Sequence, residues 1–412
     1  MAGTPPRSTY AELSRADLAR LVPELMLIGQ LLDRAGMPWV TMRLSQEQMV
    51  QVAITEWASA SPIYTRRMQR ALAFEGEDVI TIFKGLQLDV GAPPQFLDFR
   101  FSVTDRWHGS FHLAHCGALM DVEPIGESFV KAMCHDIEDP TFDATAVATN
   151  PKAAVRPVHR PPRTPADRKP HCEWTVTIDE TNPAAVPVPG LALIARTQAA
   201  LVELAPIDPA SEGRCDYSGA LLSDLDFREF SHSALVRIAD EMALQSHLLA
   251  LAFGIALREQ TSDVELIEEI ARAHLVGSAG IAASRLHRAF GAGDSPADAA
   301  RILMLLPHLN PAAYLSSSRE GASISFTRSI AHEDTGWWQL LGPSFVKPLQ
   351  AAVRAVDPCL DVVIEGSDDD WTATVVRTSV SAPECDEVAL TRISSGAGWE
   401  FEARRGLPLF VV

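Results

Sequence analysis

The sequence predicts an α+β fold made of two tandem, duplicated domains, each a helical layer packed on a mostly antiparallel sheet. Short segments recur in the same order about half a chain apart, as Gly126–Lys131 and Gly342–Lys347 do. Each half begins with long stretches whose apolar residues have helical spacing. Segments with the alternating pattern of strands then follow.

Five pairs of matching segments indicate the duplication. Besides the pair above they are Arg67–Leu72 with Arg285–Phe290, Phe101–Thr104 with Ile324–Thr327, Trp174–Thr177 with Trp371–Thr374, and Leu191–Leu193 with Val388–Leu390. One match can arise by chance, but five in the same order indicate a repeat. We therefore divide the chain into a flexible N-terminus (1–10), copy one (11–207), a linker (208–220) and copy two (221–412).

Helices are predicted first in each copy, and strands after them. Apolar residues recur at i, i+3, i+4 and i+7 in Asp17–Gly36, Gln46–Phe74, Ser231–Gln260 and Val264–Phe290. Gly76 and Gly291 are predicted as helix stops. Strands are predicted at Phe96–Thr104, Trp174–Ile178, Trp371–Arg377, Val388–Ile393, Trp399–Arg404 and Leu407–Val412.

Composition excludes several classes of protein. The 412 residues contain 35 Lys and Arg against 53 Asp and Glu, a net charge of −18, which disfavours a nucleic-acid partner. The longest apolar run, Leu248–Leu257, is shorter than the roughly 20 residues of a membrane span, so no membrane partner is expected. The N-terminus lacks the apolar core of a signal peptide, and six cysteines suit a reducing compartment. We therefore expect a cytoplasmic protein.

Copy one holds a group of cysteines and histidines that copy two lacks. Three of the six cysteines stand beside a histidine, as His115-Cys116, Cys134-His135 and His171-Cys172. Thiolate and imidazole are preferred ligands of zinc and iron. We predict a zinc or iron site built from Cys116, Cys134 and Cys172 with one or two of His115, His135, His159 and His171. Alternatively, each cysteine is a small buried apolar residue and each histidine an ordinary hydrogen-bonded one.

An acidic segment follows the second cysteine and would supply a general base. Glu138, with Asp136 in reserve, is predicted to deprotonate a metal-bound water. The alternative is a turn whose acids are solvated ahead of Pro140. A further variant dispenses with the metal and uses Cys134 as a nucleophile activated by a neighbouring imidazole.

A basic, proline-rich loop makes copy one longer than copy two. The extra residues fall near 150–170, a stretch with six prolines and a local charge of +5. We predict that Arg156, Arg160 and Arg163, with His159, hold the carboxylate of a small anionic substrate, because arginine forms paired bonds with carboxylates. The alternative is a solvated loop that neutralises the protein's own acidic surface.

These pieces resemble a known family. Phe101–Thr104 leading to His115-Cys116, then Met133-Cys134, then Lys169–Trp174 is similar to the domain shared by L-2-amino-thiazoline-4-carboxylic acid hydrolases and 4-vinyl-reductase-type small-molecule-binding domains. The resemblance covers about residues 20–180 and places only Cys116, Cys134 and Cys172 at family positions. It implies an α+β ligand-binding domain and, in the hydrolase branch, opening of a small sulfur- and nitrogen-containing heterocycle that bears a carboxylate.

Together these features predict a metal-dependent enzyme whose active site lies in copy one, with copy two as its support. The expected reaction is hydrolytic opening of a C=N or amide-like bond in a small carboxylate-bearing molecule. The alternatives are a non-catalytic protein that binds or senses a small molecule in the same pocket, and a metal-free cysteine-nucleophile hydrolase. A third possibility is a protein that acts through contacts between copies or subunits. The sequence is compatible with an oligomer and does not specify its state.

Overall fold

A computed structural model of the chain describes residues 6–394 and Leu409, and over these residues the α+β class is confirmed. Copy one alternates helices with four strands. Its elements are α1 (Arg15–Arg43), α2 (Gln46–Ala71), α3 (Val79–Leu86), β1 (Leu97–Val103), β2 (His108–Cys116), α4 (Gly117–Val122), α5 (Glu127–Lys131), a π-helical turn (Ala132–Ile137), α6 (Glu138–Val147), β3 (Ala153–His159), β4 (Cys172–Ile178), α7 (Pro189–Ile194) and α8 (Gln198–Leu201).

Copy two repeats this order in shortened form. Its elements are α9 (His232–Gln260), α10 (Val264–Phe290), α11 (Pro296–Leu303), β5 (Ser316–Glu320), β6 (Ser323–Thr327), α12 (Lys347–Arg354), β7 (Leu360–Ser367), β8 (Asp370–Arg377) and α13 (Asp386–Ser394). Short 3₁₀ turns connect several of them, one of which is Trp337–Leu340. None of the described helices has the length and hydropathy that a membrane crossing requires.

The two sheets have the same topology, which supports the tandem arrangement. Both are antiparallel, with strand orders β1-β2-β4-β3 and β5-β6-β8-β7. In the first sheet Phe111 lies opposite Trp174, and in the second Phe326 lies opposite Trp371. Each pair therefore places an aromatic ring from the second strand beside a tryptophan from the fourth.

The long helices repeat as closely as the sheets do. The helices α1 and α9 both contain 29 residues, and both start after a serine, Ser14 and Ser231. Each serine hydroxyl accepts a hydrogen bond from the backbone N–H three residues later, which satisfies one of the free donors at a helix start. The same cap geometry starts α3 at Asp78 and α11 at Ser295.

The copies pack through their helices in a reciprocal way. The helix α2 packs mainly on α9, and α1 mainly on α10, so the two long helices of each copy contact those of the other copy more than they contact each other. Arg67 on α2 pairs with Glu241 on α9 at 2.8 Å, and Arg285 on α10 pairs with Glu24 on α1 at 2.7 Å. Because the second pair repeats the first with the copies exchanged, the two copies are related by an approximate twofold axis.

The axis itself passes near the crossing of α1 and α9. Glu24 and Glu241 are 217 positions apart, and the same spacing separates Gly36 from Phe253. A Cβ on Gly36 would lie 2.8 Å from the Phe253 ring, so these equivalent residues meet directly. A larger side chain at position 36 would force the Phe253 ring or one of the two helices to shift.

Four sequence predictions on elements are wrong. Val388–Ile393 is not a strand but lies in α13. Val388 packs so closely on Gly280 of α10 that a Cβ added there would lie 2.4 Å from it, and tertiary packing decides the structure of such short apolar runs. Phe101–Thr104 belongs to β1, whereas Ile324–Thr327 belongs to β6, which corresponds to β2. These two matching segments are therefore not equivalent in the structure. Gly76 does not end a helix, because α2 already ends at Ala71. The segment predicted as a flexible N-terminus is attached to the core from residue 8 onward, because the Ser8 hydroxyl donates a hydrogen bond to Asp240.

Two further predictions concern the ends of segments. The predicted strands Trp399–Arg404 and Leu407–Val412 lie outside the described residues, apart from Leu409, whose N–H donates to the Leu221 carbonyl. The same holds for residues 1–5 of the predicted flexible N-terminus. The segment predicted as a linker packs on copy one, because Tyr217 is buried and its N–H donates to the Leu72 carbonyl at 2.7 Å.

Candidate functional site

A cavity of about 670 Å³ lies in copy one. It is enclosed by α1, α2, the start of β1 and the segment from α4 to α6, and α13 of copy two closes one side. Apolar side chains make up most of its wall, among them Met37, Met49, Leu86, Phe99 and Phe142. Cavities of this size and composition are typical of small-molecule sites.

The mouth of the cavity carries exposed apolar side chains. Met42, Ile125 and Ile393 line it and are 57%, 60% and 77% exposed. They come from α1, from the turn after α4 and from α13, so they are distant in sequence. Exposed apolar residues that group in space mark binding surfaces more often than scattered ones do. We call these three residues the apolar rim.

A buried charged group forms part of the wall. Arg34 Nη1 lies 3.3 Å from Asp33 Oδ2, and Arg34 Nε lies 3.2 Å from Asp121 Oδ2. The guanidinium also stands over the Phe96 ring, 5.8 Å from its centre. The Trp57 indole N–H donates to the other oxygen of Asp33 at 3.3 Å. The charge of Arg34 is therefore already opposed by two carboxylates.

Two more acids stand at or behind the wall with different surroundings. Asp89 accepts hydrogen bonds from the Tyr64 hydroxyl at 2.9 Å and from the Gly91 N–H at 2.7 Å, and burial raises its pKa to about 6. Glu56 is buried on α2, and its Oε2 accepts no hydrogen bond from the described residues. Burial, together with the nearby Asp33, holds the pKa of Glu56 well above its usual range.

Glu138 and Asp121 are the wall acids with open acceptor atoms. Glu138 Oε2 and Asp121 Oδ1 are buried, and neither accepts a hydrogen bond from the described residues. Burial and then Asp139 raise the pKa of Glu138 to about 8, against the opposing effect of Arg160. Burial raises the pKa of Asp121 to about 6, although Arg34 acts to lower it. Glu138 is thus the one predicted catalytic acid that lines the cavity, since Asp136 is exposed.

The three predicted cysteine ligands are buried in the core beneath the first sheet. Burial, and then the charge of Glu138, raises the pKa of all three thiols, that of Cys172 to about 12. The Cys116 sulfur caps α4 by accepting the Leu119 N–H at 3.3 Å. These thiols lie close enough together for their charges to interact, but each is held in its neutral form.

Two of the predicted histidine ligands contact backbone carbonyls, and the other two lie near each other. His135 Nε2 lies 2.7 Å from the Pro161 carbonyl, and His159 Nε2 lies 3.3 Å from the Pro170 carbonyl. The rings of His115 and His171 are 5.7 Å apart, and burial with the nearby Arg163 lowers the pKa of His171 to about 4. Among residues 6–394 and Leu409, no three His, Cys, Asp or Glu side chains are arranged to hold a metal ion. The predicted zinc or iron site has no assembled donor set there.

The predicted substrate-binding arginines are paired with the protein's own acids. Arg156 binds Asp143 at 2.8 Å, Arg163 binds Glu123 through two bonds, and Arg160 binds Asp139. None of the three lines the cavity. These contacts match the alternative in which the basic loop neutralises local acidic surface. The basic loop is the connection from β3 to β4, and Pro157 and Trp174 pair at its two ends. The equivalent connection in copy two, from β7 to β8, is a tight hairpin in which Gly366 pairs with Trp371.

In copy two, aromatic side chains pack together in the region that corresponds to the cavity by position in the sequence. Trp337 is buried, donates its indole N–H to His247 Nδ1 at 3.0 Å and stacks on His308 with ring centres 4.2 Å apart. His247 stands 217 positions after the cavity residue Gln30, and His274 stands 218 after Glu56. The described part of copy two therefore places a packed His and Trp cluster where copy one has open space.

Burial of the predicted ligands leads to a chemical prediction. In the folded protein, an aromatic disulfide reagent such as DTNB is expected to react with Cys215, Cys359 and Cys385, which are partly exposed, and to leave the three buried thiols intact. Six thiols should react in denaturant. The measurement is thiol stoichiometry by absorbance, with labelled positions located by peptide mass. Rapid labelling of Cys134 in the native state would contradict the burial described here.

Sequence reasoning missed the charged wall of the cavity, although a signal was present. Glu56 falls at helical spacing from the buried Val52 and Ala60, and Asp33-Arg34 interrupts the apolar pattern of α1. An ionisable residue at a core position of a helix is expensive to bury, and it is therefore a candidate site residue. No family model matches this sequence, and no curated protein or solved structure is similar enough to it to count as a match.

Proposed function

We propose that copy one binds a small, predominantly apolar molecule in the cavity described above. The observation that carries the proposal is a cavity of about 670 Å³ with apolar walls, which opens through the apolar rim. Copy two contributes Leu390 and Ile393 to the boundary of this cavity, so it supports the site from one side. This is the binding alternative of the sequence analysis, and it agrees with the small-molecule binding that the family resemblance implies.

The proposal requires neither a metal nor a thiolate. Burial favours the neutral thiol at all three cysteines, and a neutral thiol is a poor ligand and a poor nucleophile. When Glu138 is ionised it reinforces this preference, because its negative charge opposes a second one on a thiol nearby.

A neutral fluorescent probe tests the binding function. N-phenyl-1-naphthylamine is expected to bind the purified full chain with a stoichiometry of one and with increased emission. Ala53→Phe fills the cavity from α2 and should weaken binding at least tenfold. Val186→Phe makes a similar enlargement at an exposed position and should leave the affinity unchanged.

A second variant covers the case in which Ala53→Phe disturbs folding. Ile125→Glu places a charge on the exposed rim, where the core is not affected, and should also weaken binding of the probe. Wild-type affinity in both folded variants, or no saturable binding to the wild-type chain, would overturn the proposed function.

Hydrolysis is a second candidate function, and the position of Glu138 favours it. A carboxyl group with a pKa of about 8 that lines an apolar cavity changes its protonation near neutral pH, as general acids and bases do. Below pH 8 this group is mostly protonated and suited to donate a proton, so the predicted role as a base would apply only above that pH.

The pH dependence of turnover tests this second candidate. With 2-aminothiazoline-4-carboxylate as the probe, we expect a rate that falls as pH rises through about 8, because an acid is lost on deprotonation. Glu138→Gln should abolish turnover, whereas Glu180→Gln, a change at an exposed acid, should not affect it. Turnover by the Glu138→Gln variant would contradict the assignment.

A further inference from the structure

We infer that the molecule held in the cavity carries a cationic group, an amine or a guanidine, on its apolar body. This inference rests on the proposed binding function and adds the chemical class of the ligand. It is carried by the balance of charge in the cavity wall and by the acceptor atoms that the wall leaves open.

The wall contains more acids than bases. Four carboxyl groups line the cavity, and Arg34 is the one basic side chain among its described lining residues. Arg34 already lies within 3.3 Å of Asp33 and 3.2 Å of Asp121, so its charge is opposed. An anionic group would bring another negative charge into this low-polarity wall, where like charges repel strongly. A cation would instead lower the cost of keeping these carboxylates ionised.

Two of the four acids have acceptor atoms available to a ligand. Asp33 accepts the Trp57 indole N–H at one oxygen and faces Arg34 with the other, and Asp89 Oδ1 accepts from both Tyr64 and Gly91, so each of these two acids already has donors from the protein. The Asp121 side chain is only 3% exposed, yet its Oδ1 accepts no hydrogen bond from the described residues. Glu138 Oε2 is also buried and accepts no hydrogen bond from the described residues. Buried acceptors of this kind are costly unless something donates to them.

An ammonium or guanidinium group meets these requirements. It brings several N–H donors and no acceptor, and its bonds to carboxylates are stronger than those between neutral groups. Aromatic side chains in the wall, those of Trp57, Phe99 and Phe142, suit both the apolar body and a neighbouring cation. The apolar rim then admits the body of the ligand.

Three probes that differ only in their head group test the inference. Decylamine, 1-decanol and decanoate are used below their critical micelle concentrations to displace N-phenyl-1-naphthylamine from the full chain at pH 7.5. Decylamine is expected to bind at least tenfold more tightly than decanoate. Ala53→Phe should remove this binding, which separates occupation of the cavity from adsorption to a protein of net charge −18.

Acid variants identify the groups that recognise the cation. Asp121→Asn and Glu138→Gln keep the size of each side chain, and each should reduce the preference for decylamine over decanoate at least fivefold. Glu180→Gln removes the same charge at an exposed position and should leave the preference unchanged. Thermal melts establish that each variant is folded.

The outcomes separate this inference from the proposed function. If decanol or decanoate binds in the cavity as tightly as decylamine, the apolar site stands and the cationic ligand class is overturned. The same holds if the preference for decylamine survives in both acid variants. If the neutral probe does not bind at all, the proposed function fails, and the inference fails with it.

Discussion

Replacing Glu241 by Ala is expected to lower the free energy of unfolding by about 3–5 kcal/mol. The Glu241 side chain is 1% exposed, and it accepts two hydrogen bonds from Arg67 and two from Arg237. Arg67 is also buried and joins α2 of copy one to α9 of copy two. Removal of the carboxylate leaves a buried guanidinium without its counter-charge, which is far more costly than loss of a surface pair. The measurement is equilibrium denaturation by urea, followed by circular dichroism.

A matched control for this variant is provided by another pair between the copies. Arg43 on α1 pairs with Glu269 on α10, but both side chains are nearly half exposed. Glu269→Ala should therefore lower stability by less than about 1 kcal/mol. Equal losses for the two variants would show that burial of the Glu241 pair does not determine its contribution.

Replacing Trp337 by Ala is expected to lower the free energy of unfolding by about 3–5 kcal/mol and to open a second binding cavity. Trp337 fills the place in copy two that matches the cavity in copy one, between His247 and His308. Its removal leaves a space bordered by imidazole rings, with the equivalent helices α9 and α10 as walls. The stoichiometry of N-phenyl-1-naphthylamine should rise from one to two, as measured by fluorescence titration.

The neighbouring tryptophan supplies the control. Trp338 is equally large and buried, but its ring faces His332 on the side of the second sheet. Trp338→Ala should lower stability by a similar amount without adding a binding site. A stoichiometry of one in both variants, with both folded, would show that Trp337 does not occupy an equivalent of the cavity.

The duplication and the order of elements could be predicted because they depend on local patterns. Apolar spacing located all four long helices, and the Trp174 and Trp371 matches fall at equivalent positions of β4 and β8. The run at Val388–Ile393 could not be assigned correctly, since four to eight apolar residues suit a strand or a helix equally. Its helical state depends on close packing against Gly280 of α10, which is more than a hundred residues away.

The candidate site was harder to predict than the fold. Glu138 was identified from its position beside the cysteines, and it does line the cavity. Arg34 and Asp121, in contrast, are separated by almost ninety residues, and nothing in either neighbourhood indicates that they meet. The state of the cysteines could not be predicted either, because burial of the thiols is a property of the assembled core.

The reciprocal pairs Arg67–Glu241 and Arg285–Glu24 have a consequence for ligand stoichiometry. In a homodimer of identical chains, every feature on one side of the axis must occur on the other, so two identical sites are obligatory. Covalent joining of the two copies removes that constraint. Copy one can then keep an open cavity while the matching region of copy two is filled by side chains. The stability gained from packing in copy two can offset the cost of burying ionisable groups around the cavity of copy one.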